Sequence, residues 1–244
     1  MQFYSLSDRG MLREINEDYF ISENIEGYTV LILTDGMGGH NGGETASKIA
    51  GEIIFDFLGS RLKEALLPGQ IMLMMEEALE KANEYILSLS KKKASLAGMG
   101  TTADVLVFKK DTAYIAHVGD GRIYTLSKDG KLRLLTKDHS LVEHMVETGA
   151  ITREQAAGHP QKNVITRALG ISPDVNADVF HVKASEKSRF LMCSDGLTNM
   201  LSDEAIKDTL ARSESLEDGV KTLIKLANEA GGSDNITVIL AQKE

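Results

Sequence analysis

The sequence predicts an α+β fold in which antiparallel strands form the centre and pairs of helices cover them. Apolar residues recur at helical spacing over 44–66 and about 70–90, and again over about 202–212 and 216–230. Between the two helix pairs, short β-branched segments are separated by turns too short for the helical crossovers of a parallel sheet. Consecutive long helices next to such strands indicate a helical layer over a sheet.

The overall composition is that of a globular protein and argues against nucleic acid as a partner. Hydrophobic residues make up 42% of the 244 residues and charged residues 26%, so one large domain or two small ones can bury a sizeable core. The formal net charge is -9, from 36 acidic and 27 basic residues. Because affinity for a phosphate backbone comes from clustered Lys and Arg, we expect no nucleic-acid binding.

Cysteine content and apolar runs bear on location. Cys193 is the only cysteine, which excludes an internal disulfide and a thiolate zinc cluster. The first nine residues lack the basic and then apolar pattern of a signal peptide. No apolar run approaches the roughly 20 residues that span a bilayer. We therefore expect a cytoplasmic protein without membrane association.

The strongest local pattern is an apolar strand that ends in an acidic glycine turn. Residues 29–34 are all β-branched or aliphatic, which predicts a buried strand. Asp35 follows, and three of the next four residues are glycine, which lets backbone approach a bound ion or phosphate closely. A plain Asp-Gly turn is the alternative. The glycines are not a P-loop, because Glu44 stands where the lysine is required.

Upstream of this strand, Arg13 precedes the adjacent carboxylates Glu17 and Asp18. Arg13 could form a surface ion pair with one of these carboxylates, which would contribute little to stability. The three residues could also be half of a phosphate site, because a guanidinium group binds phosphate oxygens in a bidentate manner. Both interpretations are open at this point of the sequence.

The middle of the chain combines hairpin strands with a loop-rich segment. Strands are predicted at 101–108, 112–118, 122–126 and 132–135. Asp120 lies in a glycine turn between the second and third of them. The stretch 139–168 contains helical fragments, glycines and no clean strand, which is typical of a lid or substrate flap. His159 in this flap is a candidate substrate-binding residue, and a solvated loop histidine is the alternative.

The last third repeats the acidic glycine turn twice. An apolar strand at 190–195 ends in Asp195 and a glycine, and Asp234 follows two glycines just before a strand at 236–241. A cysteine-based phosphatase would need an arginine six residues after Cys193, where the sequence has Asn199.

Four aspartates thus lie beside glycines at strand ends, and two further carboxylates lie near the first strand: Asp35, Asp120, Asp195 and Asp234, with Glu17 and Asp18. We expect these strand ends to converge at one edge of a sheet. Clustered carboxylates repel each other unless they are protonated or bridged by cations, and oxygen ligands favour Mg²⁺ or Mn²⁺. Two such ions about 4 Å apart would deprotonate a bridging water. The resulting hydroxide would attack phosphorus while Arg13 holds the phosphoryl oxygens.

Six segments, in order, carry a resemblance to a known family: 13–18, 35–39, 100–103, 118–122, 194–196 and 231–235. They look like the motifs of the PPM family, the metal-dependent serine/threonine phosphatases of the protein phosphatase 2C type. The compact length is similar to that of the stand-alone bacterial members. The resemblance implies one catalytic domain over 1–244 with a flap at about 139–168. It also implies a central antiparallel β-sandwich flanked on both sides by pairs of helices, in four layers.

The resemblance further implies a role for each acidic residue. Asp35 would bridge two metal ions, and Gly36 would offer its carbonyl to one of them. Asp195 and Asp234 would complete the shell of one ion, while Glu17 and Asp18 would bind the second directly or through water. Asp120 together with Asp195 would hold a third ion. These ligands are Glu17, Asp18, Asp35, Gly36, Asp120, Asp195 and Asp234.

The resemblance assigns the substrate phosphate to Arg13, and two departures from the family pattern matter. Met37 stands where some eukaryotic members have a histidine that acts as general acid, so the group that protonates the leaving group is left open. Gly121 occupies a position that is commonly serine. A more mobile turn there would weaken the third metal site.

The predicted function is hydrolysis of phosphoserine and phosphothreonine in proteins, with Mn²⁺ or Mg²⁺ as cofactor. By resemblance the partners are phosphorylated proteins and a cognate Ser/Thr kinase, and we expect a monomer. One alternative is a non-catalytic regulator with the same fold, against which the complete set of carboxylates argues. Another is a hydrolase of small phosphate esters or nucleotides. The sequence shows no base-stacking aromatic cluster, with 7 Phe, 6 Tyr and no Trp.

Overall fold

The computed structural model describes residues 1–38 and 42–243, and over these ranges two antiparallel sheets lie between two layers of helices. The strands are β1 (Gln2–Asp8), β2 (Asp18–Ile25), β3 (Tyr28–Met37), β4 (Gly100–Thr101), β5 (Ala103–Lys109), β6 (Thr112–Val118), β7 (Arg122–Leu126), β8 (Leu132–Leu134), β9 (Asp178–Lys183), β10 (Arg189–Cys193) and β11 (Ile236–Gln242). The helices are α1 (Gly42–Gly59), α2 (Pro68–Lys92), α3 (Leu141–Glu147), α4 (Arg153–Ala157), α5 (Asp195–Thr198), α6 (Asp203–Arg212) and α7 (Leu216–Glu229).

The two sheets draw on strands from both halves of the chain. One sheet has the order β2-β3-β5-β6-β9, with β4 paired to β3, and the other has the order β1-β11-β10-β7-β8. Helices α1 and α2 cover the first sheet, and α6 and α7 cover the second. The expected four-layer α+β sandwich is therefore confirmed. The hairpins β5-β6 and β7-β8 lie in different sheets, so the turn around Asp120 is where the chain crosses from one sheet to the other.

Strand β3 shows how the apolar sequence builds these layers. Val30 and Ile32 pack in the cluster under α1 and α2, while Leu31 and Leu33 pack in the cluster between the two sheets. Successive side chains of a strand point to opposite faces. A strand with both faces covered therefore needs apolar residues at every position, which is why 29–34 has no polar alternation. Burial on both faces fixes the position of Asp35 at the end of this strand.

Several helices begin where the sequence supplies a capping side chain. The hydroxyl groups of Ser140, Ser202 and Ser215 accept hydrogen bonds from backbone N–H groups three residues later, at the starts of α3, α6 and α7. Each bond satisfies one of the free donors of the first helical turn. Helix α2 begins at Pro68, a position where a missing N–H has no consequence.

The structure corrects several predicted boundaries. The first helix ends at Gly59, not near residue 66, because Gly and Ser are poor helix formers and the chain turns there to bury Leu62. The predicted strand 101–108 is interrupted at Thr102. Strands β1, β2 and β9 were not predicted, nor was the short helix α5.

The stretch 139–168 contains α3 and α4. One isolated bridge joins its two ends, Ser140 to Ile165, and a second joins Leu169, just after it, to Thr101 of β4. Over the ranges described, no helix combines the length and the apolar character needed to cross a membrane.

Gly39, the last residue of the 35–39 motif, lies outside the described residues.

Candidate metal centre

The acidic residues singled out in the sequence meet at one end of the sandwich, where the two sheets adjoin. Pairing of β2 with β3 places Asp18 directly opposite Asp35. Asp120 follows β6 of the same sheet, while Asp195 follows β10 and Asp234 precedes β11 of the other. The carboxylates converge as predicted, but at the common end of two sheets and not at the edge of one.

These residues surround a cavity of about 270 Å³. Its lining includes Arg13, Glu17, Asp35, Gly36, Asp120, Asp195 and Asp234. Like charges directly opposite each other on paired strands are destabilising. An arrangement that places Asp18 against Asp35 and three more aspartates nearby therefore needs a compensating positive charge.

The backbone of Asp35 is fixed by two threonines of the 100–103 motif. Its N–H donates to the hydroxyl of Thr102 at 3.0 Å. Its carbonyl accepts the Thr102 N–H at 2.9 Å and the Thr101 hydroxyl at 2.9 Å. These bonds explain the break between β4 and β5, because Thr102 turns its hydrogen-bonding groups to the end of β3.

Gly36 lies where no side chain fits. A Cβ there would come within 2.1 Å of the Gly43 carbonyl oxygen and 2.8 Å of the Glu17 carbonyl oxygen. A Cβ on Gly43, in the first turn of α1, would in turn lie 2.2 Å from Oε1 of Glu17. The Gly36 N–H donates to the Glu17 carbonyl at 3.1 Å. The two glycines thus allow α1, β3 and the Glu17 carboxylate to meet.

Asp18 lies behind the cavity wall and is held by two hydroxyl groups. Its Oδ2 accepts hydrogen bonds from Ser194 at 2.8 Å and from Thr237 at 2.6 Å. The Ser194 hydroxyl also accepts the Thr237 N–H at 3.0 Å. Asp18 does not itself line the cavity, so a ligand in the cavity would reach it through a bridging group.

Three carboxylate oxygens of the site are buried without a hydrogen-bond partner: Oε1 of Glu17, Oδ1 of Asp18 and Oδ1 of Asp195. Leaving a buried charged acceptor unsatisfied costs more than the 1–3 kcal/mol of a neutral one. Most buried polar atoms in folded proteins have a partner. Oxygens without partners on two residues that line the cavity, Glu17 and Asp195, and on Asp18 behind its wall therefore fit a cation with oxygen ligands.

The electrostatics of the cluster agree with this interpretation. Burial, followed by the neighbouring aspartates, raises the pKa of Asp18 to about 7 and the pKa of Asp120 to about 8. The same causes raise the pKa of Asp195 to about 6 and hold the pKa of Asp35 well above its ordinary value. Raised carboxyl pKa values are expected where negative charges are gathered without counter-charge.

Side chains alone do not enclose an ion. Within 1–38 and 42–243, no three acidic, histidine or cysteine side chains are close enough together to hold a metal ion by themselves. Backbone oxygens such as the Gly36 carbonyl, and water, would have to complete a coordination shell. Mg²⁺ commonly keeps several waters and takes only one or two carboxylates, so the donor set fits a hard divalent cation.

Arg13 lies at the rim of the cavity. Its Nη2 donates to Oδ2 of Asp234 at 2.9 Å, and its Nη1 lies 3.8 Å from Oε2 of Glu17. The side chain is 46% exposed. The guanidinium group is therefore anchored at one edge and open to an anion that enters the cavity.

Asn235 belongs to the 231–235 motif, but sequence reasoning gave no role to this residue, which holds the Arg13 loop in place. The side chain of Asn235 accepts the Glu17 N–H at 2.8 Å and donates to the carbonyls of Arg9 and Ile15, at 2.9 Å each. Asn235 is buried and follows Asp234 directly. The only sequence feature that could have indicated this role is a polar residue directly before an apolar strand.

The turn that carries Asp120 is packed on both sides. The Gly119 N–H donates to Nδ1 of His139 at 3.1 Å, and the His139 N–H donates to the Gly119 carbonyl at 2.7 Å. A Cβ on Gly121 would lie 1.9 Å from Oδ2 of Asp104, a buried residue that is hydrogen-bonded to His117 at 2.7 Å. This packing argues against the extra mobility expected from glycine at position 121.

His159 lies in the segment 139–168, just after α4. Its Nδ1 accepts the Gln161 N–H at 3.1 Å, and it is not part of the cavity lining. Asn163 and Ile165 of the same segment do line the cavity. A role of His159 in substrate binding stays a prediction.

A β-sandwich with a carboxylate-lined cavity at one end and an arginine at its rim fits the class of hydrolases that act on phosphate esters with divalent cations. The comparisons with known proteins give the family. Residues 13–240 match the family model described as Protein phosphatase 2C. The serine/threonine phosphatase stp of Listeria welshimeri is 38% identical over 238 residues, which cover 97% of this chain and 94% of that protein.

Solved structures agree over the whole chain. The S. agalactiae serine/threonine phosphatase superposes with a TM-score of 0.91 at 38% identity, covering 100% of this chain and 99% of that one. The catalytic domain of the phosphatase PstP, solved in complex with 2 manganese ions, superposes with a TM-score of 0.86 at 33% identity, covering 100% and 98%. The chain belongs to the protein phosphatase 2C family and is accordingly a protein serine/threonine phosphatase, a phosphoric monoester hydrolase.

Proposed function

We propose that this protein removes phosphate from phosphoserine and phosphothreonine at the carboxylate cavity, with two Mn²⁺ or Mg²⁺ ions held by the predicted ligands. The residues that would hold them are Asp35 and the Gly36 carbonyl, together with Asp195, Asp234, Glu17 and Asp18. The observation that carries this proposal is the set of buried carboxylate oxygens without partners, Oε1 of Glu17 and Oδ1 of Asp18 and of Asp195.

Each side chain has a task that its contacts support. Glu17 and Asp195 line the cavity, and each has a buried oxygen without a hydrogen-bond partner. Asp18, held by Ser194 and Thr237 behind the wall, would act through water. Asp120 shares the cavity with Asp195 and would hold a third ion with it. When bound, such cations supply a Lewis acid that lowers the pKa of a water nucleophile toward about 7 and offsets phosphoryl charge.

Arg13 positions the substrate. Its guanidinium group is anchored by Asp234 at 2.9 Å and remains half exposed at the cavity rim. A planar fork of N–H donors suits bidentate binding of phosphoryl oxygens. Arg13 therefore orients the phosphate over the cavity and stabilises the charge that develops on its oxygens.

The wider setting is also a proposal. The phosphatase acts on phosphorylated proteins, including a cognate Ser/Thr kinase and its targets, whose action it reverses. It does so as a monomer in the cytoplasm, where a single buried thiol such as Cys193 stays reduced. The whole chain is one catalytic domain, and the segment 139–168 serves as a flap that contacts the substrate, with His159 a candidate contact.

Substitution of the ligands tests the proposal. Asp35→Asn and Asp234→Asn are each expected to lower hydrolysis of a phosphothreonine peptide by at least a hundredfold, because each removes a charged ligand. Both should also reduce the rise in melting temperature that Mn²⁺ causes. Asp174→Asn, at an exposed position, is the matched control and should behave as wild type. Unchanged hydrolysis and unchanged Mn²⁺ stabilisation in both ligand variants would refute the assignment.

A substrate comparison separates the remaining alternatives. A protein phosphatase should hydrolyse phosphothreonine peptides with a higher kcat/KM than nucleotides. A non-catalytic regulator would bind Mn²⁺ without hydrolysing either.

A further inference from the structure

A second cavity opens beside the carboxylate cavity, between the flap and the sandwich. It has a volume of about 310 Å³ and shares Asp120, Asn163 and Asp195 with the first cavity. One wall comes from the flap, between Ser140 and Asn163, and the other from the β6–β7 turn and α5. A peptide whose phosphorylated residue enters the first cavity would lay a neighbouring side chain in the second. We call this second cavity the flap groove.

Two of the three cations that line the flap groove are neutralised by carboxylates of the groove itself. Arg122 forms a two-point pair with Asp138, at 2.9 and 2.7 Å. Arg153 forms a two-point pair with Glu143, at 2.7 and 2.9 Å. Such bidentate pairs are preformed and geometrically specific. The other charged residues that line the groove are Lys162 and the two carboxylates of the wall shared with the first cavity, Asp120 and Asp195.

Lys162 is the exception. Its Nζ donates to the amide oxygen of Asn199 at 3.2 Å, and among the described residues no carboxylate pairs with it. The Asn199 amide nitrogen donates in turn to Oδ2 of Asp195 at 2.9 Å. Lys162 therefore brings to the flap groove a positive charge that has no salt bridge among the described residues, next to the wall that the two cavities share.

The separation of Lys162 from Asp195 is compatible with the spacing of side chains along a peptide. The two hydrogen bonds and the width of one amide place Nζ of Lys162 no more than roughly 8 Å from Oδ2 of Asp195. In an extended chain, side chains at positions i and i+2 point to the same side and lie about 6.5–7 Å apart. A side chain two residues from the phosphorylated residue can thus reach Lys162.

We propose that the flap groove is a subsite for an anionic side chain, a carboxylate or a second phosphoryl group, two residues from the phosphorylated serine or threonine. The proposal rests on the proposed position of the phosphoryl group beside Asp195. It adds a preference among substrates to the activity. The lysine ammonium group is a strongly hydrated point charge that binds a carboxylate or a phosphoryl group. The experiment below distinguishes these two anions.

The experiment compares phosphothreonine peptides that differ only at the second residue before or after the phosphothreonine. That residue is Glu, phosphoserine, Lys or, as reference, Gln. For wild type we expect kcat/KM to be about two- to fivefold higher with an anionic residue than with Gln at one of the two positions, since exposed ion pairs contribute modestly. Glu and phosphoserine arms show which anion the groove prefers.

Three variants assign the preference to Lys162. Lys162→Gln keeps a donor for Asn199 but removes the charge, and the ratio between anionic and Gln peptides should fall to about one. Lys162→Glu should invert the ratio in favour of the Lys peptide. Lys131→Gln, at a remote lysine that is 84% exposed, makes the same change in net charge and should keep the wild-type ratio.

The ratio of kcat/KM between anionic and Gln peptides, and not the absolute rate, decides between the outcomes. Equal kcat/KM for all peptides in wild type would overturn the subsite while leaving the phosphatase activity standing. A wild-type ratio that persists in Lys162→Gln and Lys162→Glu would also overturn it. Failure of wild type to hydrolyse any phosphopeptide would instead refute the proposed function. Equal losses for every peptide would show that Lys162 acts only on Asn199 and Asp195, and would overturn the subsite as well.

Discussion

Replacement of Gly36 by alanine would place a single methyl group against backbone atoms of two other segments. The added Cβ would lie 2.1 Å from the Gly43 carbonyl oxygen, 2.4 Å from the Gly43 carbonyl carbon and 2.8 Å from the Glu17 carbonyl oxygen. All three atoms belong to backbone, so no side chain can rotate away. Either β3, the start of α1 or the Glu17 loop has to shift.

The size of the effect follows from these contacts. Overpacking a well-packed site costs about 1–3 kcal/mol, and backbone neighbours on both sides favour the upper end. A shift would also weaken the hydrogen bond from the Gly36 N–H to Glu17, worth about 1 kcal/mol. A loss of about 3 kcal/mol in the free energy of unfolding lowers the melting temperature of a domain this large by roughly 6–12 °C.

The assay is thermal unfolding of the metal-free protein, followed by calorimetry, together with hydrolysis of a phosphothreonine peptide. Gly69→Ala is the matched control. Nothing lies within 4 Å of a Cβ at Gly69, which is in the first turn of α2. Alanine is the better helix former by up to about 1 kcal/mol, so the melting temperature should stay or rise. A Gly36→Ala protein that melts and hydrolyses like wild type would refute the close approach.

Three further predictions concern the groups around the cavity. Ser194→Ala removes a hydroxyl bonded to Asp18 and should weaken Mn²⁺ affinity about 10–100-fold, as outer groups of metal sites do; an unchanged Mn²⁺ concentration for half-maximal thermal stabilisation would contradict it. Arg13→Lys loses the two-point fork and should lower kcat/KM on phosphopeptides about tenfold with little change in melting temperature; equal kcat/KM would count against phosphate binding by Arg13. Burial lowers the pKa of His139 to about 4 in the folded protein, while the pKa of a histidine in the unfolded chain is about 6.5. As pH falls from 6.5 to 4, His139 therefore takes up a proton in the unfolded chain and not in the folded protein, and the free energy of unfolding decreases. His139→Gln, which keeps an acceptor for Gly119, should therefore lose about 2 kcal/mol less than wild type between pH 7 and pH 5 in denaturant unfolding; equal losses would show that His139 titrates normally.

The acidic residues of the site could be found from sequence because each has a local signature. Asp35 and Asp195 end strands whose apolar residues are unmistakable, and glycine follows each of them. Burial on both faces makes such strands easy to recognise. That the carboxylates come from two sheets was beyond the local pattern. It depends on the crossing at Asp120, and turn length alone does not say whether consecutive strands pair.

The strands that were missed share one property. β1, β2 and β9 all lie at sheet edges, and their residues are mostly half-buried. An edge strand with serine, glutamate and asparagine among its residues has a weak period-2 signal. Such strands form because a neighbour offers hydrogen-bonding groups, and that neighbour is distant in sequence.

The residues that support the site were missed for a related reason. Ser194 and Thr237 bind Asp18 across 176 and 219 residues of chain, and Asn235 binds Glu17 across 218. Neutral polar residues at strand ends are common and carry no signature of their own. Their importance comes only from the charged group that the fold places beside them.

The central claim is that the carboxylates of the cavity hold the cations on which hydrolysis depends. The most direct test is hydrolysis of a phosphothreonine peptide by metal-stripped protein, with and without added Mn²⁺, in wild type and in Asp234→Ala. We expect no hydrolysis without metal, recovery with Mn²⁺ in wild type, and no recovery in Asp234→Ala although the variant stays folded. Full activity of metal-stripped wild type, or full recovery of Asp234→Ala at the same Mn²⁺ concentration, would contradict the claim.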